Sequence, residues 1–191
     1  MPAQQQAVTL AVIFDPNMQE LLDNLKLLIS QSGGKAFFND PASIKEIDSL
    51  CKKIKIQLPD NLKQFYLTFN GGFIADDRWT RVDLSNPDKY DFIKWNSNTF
   101  FSLDMIGDQF SNPDSVISYQ NEGSPKGISF FPFLQTQDQE TYVIKISSKN
   151  TNRPVFHMFR ESEPKYWPIL SQDFSEFLRT YIAKKGNVLD R

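Results

Sequence analysis

The sequence has one cysteine and one histidine among its 191 residues. The single cysteine, Cys51, excludes a disulfide within the chain and any zinc site built from several cysteines. It is also typical of a reducing compartment, so we expect a cytoplasmic protein. The single histidine, His157, lacks a histidine partner for a metal site, and we expect neither a metal nor another cofactor.

Long hydrophobic stretches and a surplus of basic residues are missing too. No segment approaches the ~20 apolar residues that a membrane span requires. The first residues, MPAQQQAVTLAVIFD, carry no basic region ahead of a short and broken apolar run, so we expect no signal peptide. The formal net charge of −2 argues against non-specific binding to nucleic acid, which needs basic residues to neutralise phosphates.

Glycine-rich phosphate loops are absent from the sequence as well. The one candidate, Asn70-Gly71-Gly72, follows a helical pattern, whereas phosphate loops place their glycines before a helix, where N–H groups point at the anion. The carbonyl end of a helix repels phosphate. We therefore interpret these residues as the stop of a helix, with Asn70 and Gly71 in left-handed conformation.

Four segments have apolar residues at helical spacing. The first begins with Asp15 as N-cap and Pro16 at the first helical position. The second begins in the same way with Asp40 and Pro41, and its apolar stripe includes Cys51. The third and fourth stripes consist of Leu62, Phe65, Tyr66 and Phe69, and of Phe174, Phe177, Leu178, Tyr181 and Ile182 after a cap at Ser171 or Asp173.

Strand patterns dominate residues 128–159, which we interpret as an antiparallel meander with one solvated face. Pro132 indicates an edge or a bulge within it. Phe92–Trp95 and Thr99–Ile106 are predicted as short strands. Helices followed by strands and a last helix predict an α+β fold, an antiparallel sheet with helices packed against it. Because no repeat or linker interrupts the chain, we expect a single domain over residues 1–191.

No catalytic constellation stands out, and we expect a protein that is not an enzyme. Cys51 is interpreted as a small core residue, since a nucleophile needs a partner base and a lowered pKa. His157 is interpreted as a packed, half-buried residue; the alternative is a general base, for which no nucleophile is evident. Carboxylate pairs such as Glu161 with Glu163 lie in polar loops, and a hydrolase built from them is the least supported alternative.

One segment carries a family resemblance. IQLPDNLKQFYLTFNGG combines Leu58-Pro59, the aromatic pair Phe65-Tyr66 and Asn70-Gly71-Gly72. It resembles the signature of the SUKH superfamily, which includes bacterial immunity proteins of toxin systems and fungal cell-wall synthesis regulators. The pieces FFPFLQTQDQETYVIKIS, RPVFHMF and DFSEFL resemble later parts of the family pattern in the same order. The resemblance covers residues 41–182 and leaves residues 1–40 as an N-terminal helix or extension.

The resemblance implies an α+β protein without catalytic machinery that acts by binding another protein. Bacterial members are encoded beside secreted toxins and are thought to bind and block them. We therefore expect an immunity protein that neutralises a cognate toxin domain, for instance a nuclease. The alternative is a regulatory or scaffold protein of the cell-wall-regulator type that binds an endogenous protein.

Acidic charge is concentrated in residues 71–125, which hold nine acidic and four basic residues, a net −5. An acidic surface with embedded tryptophans would complement a basic toxin cleft. The alternative is that the tryptophans belong to the core and the acidic residues only keep the loops soluble. We predict that the partner-binding surface includes Asp76, Asp77, Trp79, Asp91 and Trp95.

Overall fold

The described part of the chain folds around a seven-stranded antiparallel sheet. The structure, a computed structural model, describes residues 15–75, 82, 85–112, 115, 117, 127–147, 153–159, 161–186 and 188. Within these residues every strand pairs with the strands before and after it in the chain. The strands are β1 (Ala36–Phe38), β2 (Gly72–Ile74), β3 (Asn98–Phe100), β4 (Ile128–Gln135), β5 (Thr141–Ser147), β6 (Val155–Met158) and β7 (Ile169–Ser171).

Six α-helices are interleaved with these strands in the described part of the chain. They are α1 (Pro16–Gln31), α2 (Ile44–Ile54), α3 (Asp60–Tyr66), α4 (Pro87–Trp95), α5 (Leu103–Ser111) and α6 (Phe174–Ala183). Helix α1 packs against α3 and α6, and α2 packs against α5. The fold is α+β, as predicted, but helices and strands alternate through the first half of the chain instead of forming separate blocks.

The N-terminal ends of α1 and α6 are set by capping side chains. The Asp15 carboxylate accepts the backbone N–H of Asn17 at 2.9 Å, ahead of Pro16. The Asp173 carboxylate accepts the N–H of Glu176 at the same distance. Each bond satisfies a backbone donor that has no partner within its helix. The predicted caps are therefore confirmed, and the stripes below them are buried: Met18, Leu21, Leu22 and Leu25 in α1, and Phe174, Phe177, Leu178 and Tyr181 in α6.

Helix α2 begins at Ile44, so the predicted cap at Asp40 is wrong. Ser43 is the N-cap, and its hydroxyl accepts the N–H of Glu46 at 3.2 Å. The Glu46 carboxylate in turn accepts the N–H of Ser43 at 2.7 Å. This reciprocal capping box satisfies two backbone donors, more than the Asp-Pro pair offers.

Asn70-Gly71-Gly72 connects α3 to β2 and does not end the helix. Helix α3 stops at Tyr66, and the residue that caps it is right-handed. The predicted left-handed helix stop is thus wrong, although Gly71 and Gly72 do have positive φ angles, +78° and +146°. These angles turn the chain into the first residues of β2, where a side chain would meet the neighbouring strand.

The Asn70 side chain and backbone tie this connection to two other elements. Its side-chain oxygen accepts the N–H of Leu103 at 2.9 Å, at the start of α5. Its carbonyl accepts the Asn39 side-chain amide at 2.7 Å, just after β1. The motif therefore holds β1, β2 and α5 together, which is a structural role and not a ligand cradle.

The segment between residues 86 and 111 is mainly helical. Phe92–Trp95, predicted as a strand, forms the end of α4, and the second half of Thr99–Ile106 belongs to α5. Only Asn98–Phe100 is a strand. Asn86 and Ser102 cap the two helices by accepting backbone N–H groups at 3.1 and 3.3 Å. Both strand predictions overlooked these capping residues.

The central strands β4 and β5 are buried on both faces, so the predicted solvated face is wrong. Tyr142 and Ile144 belong to the main core, the large cluster of buried side chains that includes Phe100. Val143 belongs to a second cluster with Phe130 and Trp167. The register of β4 shifts between Pro132 and Leu134, which confirms the predicted bulge. The edge alternative is wrong, because β4 lies between β3 and β5.

Gly107 lies inside α5, at a position where its lack of a side chain is not needed for packing. A Cβ there would lie 3.6 Å from Leu50 Cδ1 and from Lys53 Nζ, which is ordinary van der Waals contact. Glycine costs a helix interior about 0.5–1 kcal/mol relative to alanine. We therefore expect Gly107→Ala to raise the free energy of unfolding by that amount in urea titrations. A decrease would contradict this packing of α2 against α5.

Candidate partner-binding surface

His157 is a packed residue of the sheet. Its ring centroid lies 4.9 Å from that of Tyr142 on β5 and 4.5 Å from that of Phe159. Nε2 faces the Glu140 carboxylate, and only 13% of the side chain is exposed. The interpretation as a half-buried, packed histidine is confirmed.

Cys51 lies partly buried against the main core, on the inner side of α2. Burial raises the pKa of its thiol, which disfavours the reactive thiolate. The interpretation as a core residue is confirmed. In the ranges that the structure describes, no three His, Cys, Asp or Glu side chains converge as metal ligands would.

Helix α4 is anchored through its inner side and is capped at both of its ends. Ile93 is fully buried in a small cluster with Phe73, and Tyr90 packs its ring at 5.3 Å from Phe37. At the C-terminus, the side chains of Asn96, Ser97 and Thr99 donate hydrogen bonds of 2.7–2.8 Å to the last helical carbonyls. These bonds satisfy acceptors that a helix end otherwise leaves to water.

The outer side of α4 presents two carboxylates and two large aromatic rings. Asp88, Asp91, Phe92 and Trp95 follow the i, i+3, i+4, i+7 spacing that aligns side chains on one face. All four are exposed, Phe92 to 57% and Trp95 to 42%. We call these four residues the α4 face. Exposed rings beside charges on an anchored helix form a surface suited to binding a protein.

Two of the five residues predicted for the binding surface lie on the α4 face. Asp91 and Trp95 are one helical turn apart, and Lys94 Nζ lies 5.2 Å from the centroid of the Trp95 ring. The alternative that the tryptophans belong to the core is wrong for Trp95. Of the two tryptophans that the structure describes, Trp167 is the buried one, at 4% exposed. Asp76, Asp77 and Trp79 lie outside the described residues.

Sequence reasoning missed Asp88 and Phe92 as members of this surface. In the strand predicted for Phe92–Trp95, successive side chains point to opposite faces, so Phe92 and Trp95 would not have shared one. The signal that could have found them is Asn86-Pro87, an N-cap followed by proline at the first helical position. With a helix from residue 87, the spacing of the two aspartates and two rings becomes visible in the sequence.

The comparison with known families agrees with this architecture. The model of the SMI1 / KNR4 family (SUKH-1) matches residues 41–180. The chain belongs to the SMI1 / KNR4 family. The match starts before α2 and reaches into α6, so it includes the α4 face and leaves α1 outside. No curated protein matches the chain.

Membership in this family confirms the resemblance of residues 41–182 to the SUKH superfamily. Proteins of this superfamily are generally non-catalytic and act through protein–protein interaction. None of the helices in the described ranges is long and apolar enough to cross a membrane.

Proposed function

We propose that this SMI1 / KNR4 family member is an immunity protein that binds and neutralises a cognate bacterial toxin domain in the cytoplasm. The α4 face is the observation that carries the proposal, because it exposes two aromatic anchors and two carboxylates on a helix that is capped at both ends and packed through Ile93 and Tyr90. The family acts through protein partners, which supports a binding role over a catalytic one.

Charge and apolar area have separate roles in this surface. Phe92 and Trp95 supply the desolvated contact that dominates the affinity of most interfaces. Asp88 and Asp91 favour a basic partner and speed its approach. A nuclease toxin presents such a surface, since its substrate cleft must neutralise phosphates.

Removing the two rings is expected to weaken toxin binding strongly. Phe92→Ala and Trp95→Ala should each lower the affinity by roughly 30-fold, because an anchoring ring contributes about 2 kcal/mol to an interface. Titration calorimetry with the purified toxin domain would measure the loss. The matched control is Tyr166→Ala, which removes a ring that is 68% exposed in a different part of the fold.

Reversing the charge of Asp88 and Asp91 to lysine should slow association more than it speeds dissociation. The effect should shrink as salt rises, because exposed charges are screened beyond about 8–10 Å in physiological salt. Stopped-flow binding at low and high salt would measure it. Asp48→Lys on the exposed side of α2 is the charge-matched control. Equal effects of the control and the α4 variants would remove the α4 face from the interface.

Co-expression with the product of the neighbouring gene tests the function itself. Rescue of growth by the intact chain, lost when both rings of the α4 face are removed, is the expected result. The regulatory alternative predicts a different outcome. In that case, no neighbouring toxin is neutralised, while the α4 variants lose an endogenous partner that the intact chain retains.

A further inference from the structure

A second surface feature lies between α2 and α5, apart from the α4 face. The two helices leave an open groove of about 350 Å³. Its floor includes Leu50 and Leu103, both buried, and Gly107. The floor is therefore formed largely by apolar groups.

The walls of the groove carry mainly negative charge. Asp104 and Asp108 lie one turn apart on α5, are both exposed, and have no basic residue within their helix. The opposite wall adds Glu46, whose pKa is lowered chiefly by the hydrogen bond from the Ser43 backbone, so it stays ionised. Lys53 is the single cation among the described lining residues, which leaves a net charge of −2.

Gly107 points to a role for the groove beyond packing. Alanine would fit at this position and would favour the helix, since its Cβ meets Leu50 and Lys53 at ordinary distances. The fold thus has no need of glycine here. A longer side chain would extend toward Leu50 Cδ1 and Lys53 Nζ, each 3.6 Å from the position of a Cβ, so the glycine leaves room in the groove between the three carboxylates.

We propose that this groove receives an arginine side chain of the protein partner. The proposal rests on the proposed function only in assuming that the chain binds a protein. The aliphatic stem of an arginine would cover Leu103 and Gly107 while its guanidinium meets Asp104 and Asp108. Guanidinium is weakly hydrated and presents a planar fork of donors to carboxylates, which makes it the cation best suited to such a site. Charge complementarity selects this occupant over an apolar or acidic side chain.

A peptide titration tests the groove without any toxin. The probe is acetyl-Ala-Arg-Ala-amide, and the matched peptide contains citrulline, which has nearly the same shape but no charge. We expect the arginine peptide to shift the amide resonances of Leu103, Asp104 and Gly107 in ¹⁵N-correlated spectra. The citrulline peptide should bind about fivefold more weakly, the loss typical of one partly exposed ion pair. Equal binding of the two peptides would overturn the proposal.

Variants of the groove give effects of opposite sign. Asp104→Asn combined with Asp108→Asn should abolish the preference for arginine over citrulline, and Gly107→Met should block both peptides. Lys53→Met should tighten arginine binding, because it removes a competing cation. Asp48→Asn, on α2 but outside the groove lining, is the control and should change nothing. Weaker binding in Lys53→Met, or a control as damaging as the aspartate pair, would contradict the site.

The titration also separates this proposal from the proposed function. Arginine-selective binding in a chain that rescues no toxin would support the groove and count against the immunity role. Rescue that depends on the α4 face, with no arginine selectivity in the groove, would support the immunity role and overturn the groove.

Discussion

Gly72→Ala is expected to destabilise the protein by at least about 3 kcal/mol. Gly72 has a φ of +146°, a conformation that residues with a side chain avoid. A Cβ there would lie 2.5 Å from the Phe37 carbonyl oxygen and 2.6 Å from Phe38 Cα, both backbone atoms of β1. β2 is hydrogen-bonded to β1 on one side and to β3 on the other. β1 and β2 therefore cannot move apart to make room for the methyl group without breaking hydrogen bonds of the sheet.

Urea unfolding followed by circular dichroism measures this effect. Gly33→Ala is the matched control, since Gly33 also has a positive φ, +65°, but a Cβ at that position would have no atom within 4 Å. It should cost only the backbone strain, about 1 kcal/mol. Equal free energies of unfolding for the two variants would contradict the close approach of β1 to Gly72. Should Gly72→Ala fail to fold, Gly71→Ala tests a separate close approach of the same kind, because its Cβ would lie 2.7 Å from backbone atoms of Phe101 and Ser102, between β3 and α5.

Phe100→Ala is expected to cost about 3–5 kcal/mol, as for other buried phenylalanines replaced by alanine. Phe100 is 1% exposed and lies on β3 at the centre of the main core. Its ring centroid is 4.7 Å from that of Tyr181 and 4.8 Å from that of Phe65, so the sheet, α3 and α6 meet on it. The cavity would also break contacts with the rings of Phe38, Phe133, Phe174 and Phe177.

The same unfolding measurement distinguishes core packing from a general effect of removing a ring. Phe92→Ala removes an exposed phenylalanine on α4 and should change the free energy of unfolding by at most about 0.5 kcal/mol. Phe100→Leu retains part of the volume and should fall between the two. A loss for Phe100→Ala no larger than that for Phe92→Ala would contradict the central position of Phe100.

The helices show which parts of the fold local sequence predicts. Asp15 and Asp173 are recognisable as caps, and the stripes of α1, α3 and α6 as buried, because these signals lie within a few residues of each other. The start of α2 was wrongly predicted because two nearby residues carry the same local signal. Both Asp40 and Ser43 can cap a helix, and the reciprocal bond from Glu46 decides between them.

The strands show what local sequence leaves open. β1, β2 and β7 have three residues each, too few for alternation to be recognised, and the sequence patterns predict none of them. Each exists because a distant segment offers backbone partners, as Ala36 pairs with Ile74. The solvated face predicted for residues 128–159 is wrong for a related reason. Alternation along β5 could not reveal that Trp167 and Phe130 cover its second face.

The sequence by itself determined the family, the α+β class and the N-caps of α1 and α6. The family follows from short motifs such as Leu58-Pro59 and Asn70-Gly71-Gly72, and the class and the caps follow from residue patterns within each segment. Of the two tryptophans that lie in the described ranges, only the tertiary structure decided that Trp95 is exposed and Trp167 is buried. It also brought Glu46 of α2 opposite Asp104 of α5 across one groove. Exposure and such juxtapositions depend on contacts between segments far apart in the chain, and no local pattern of residues encodes them.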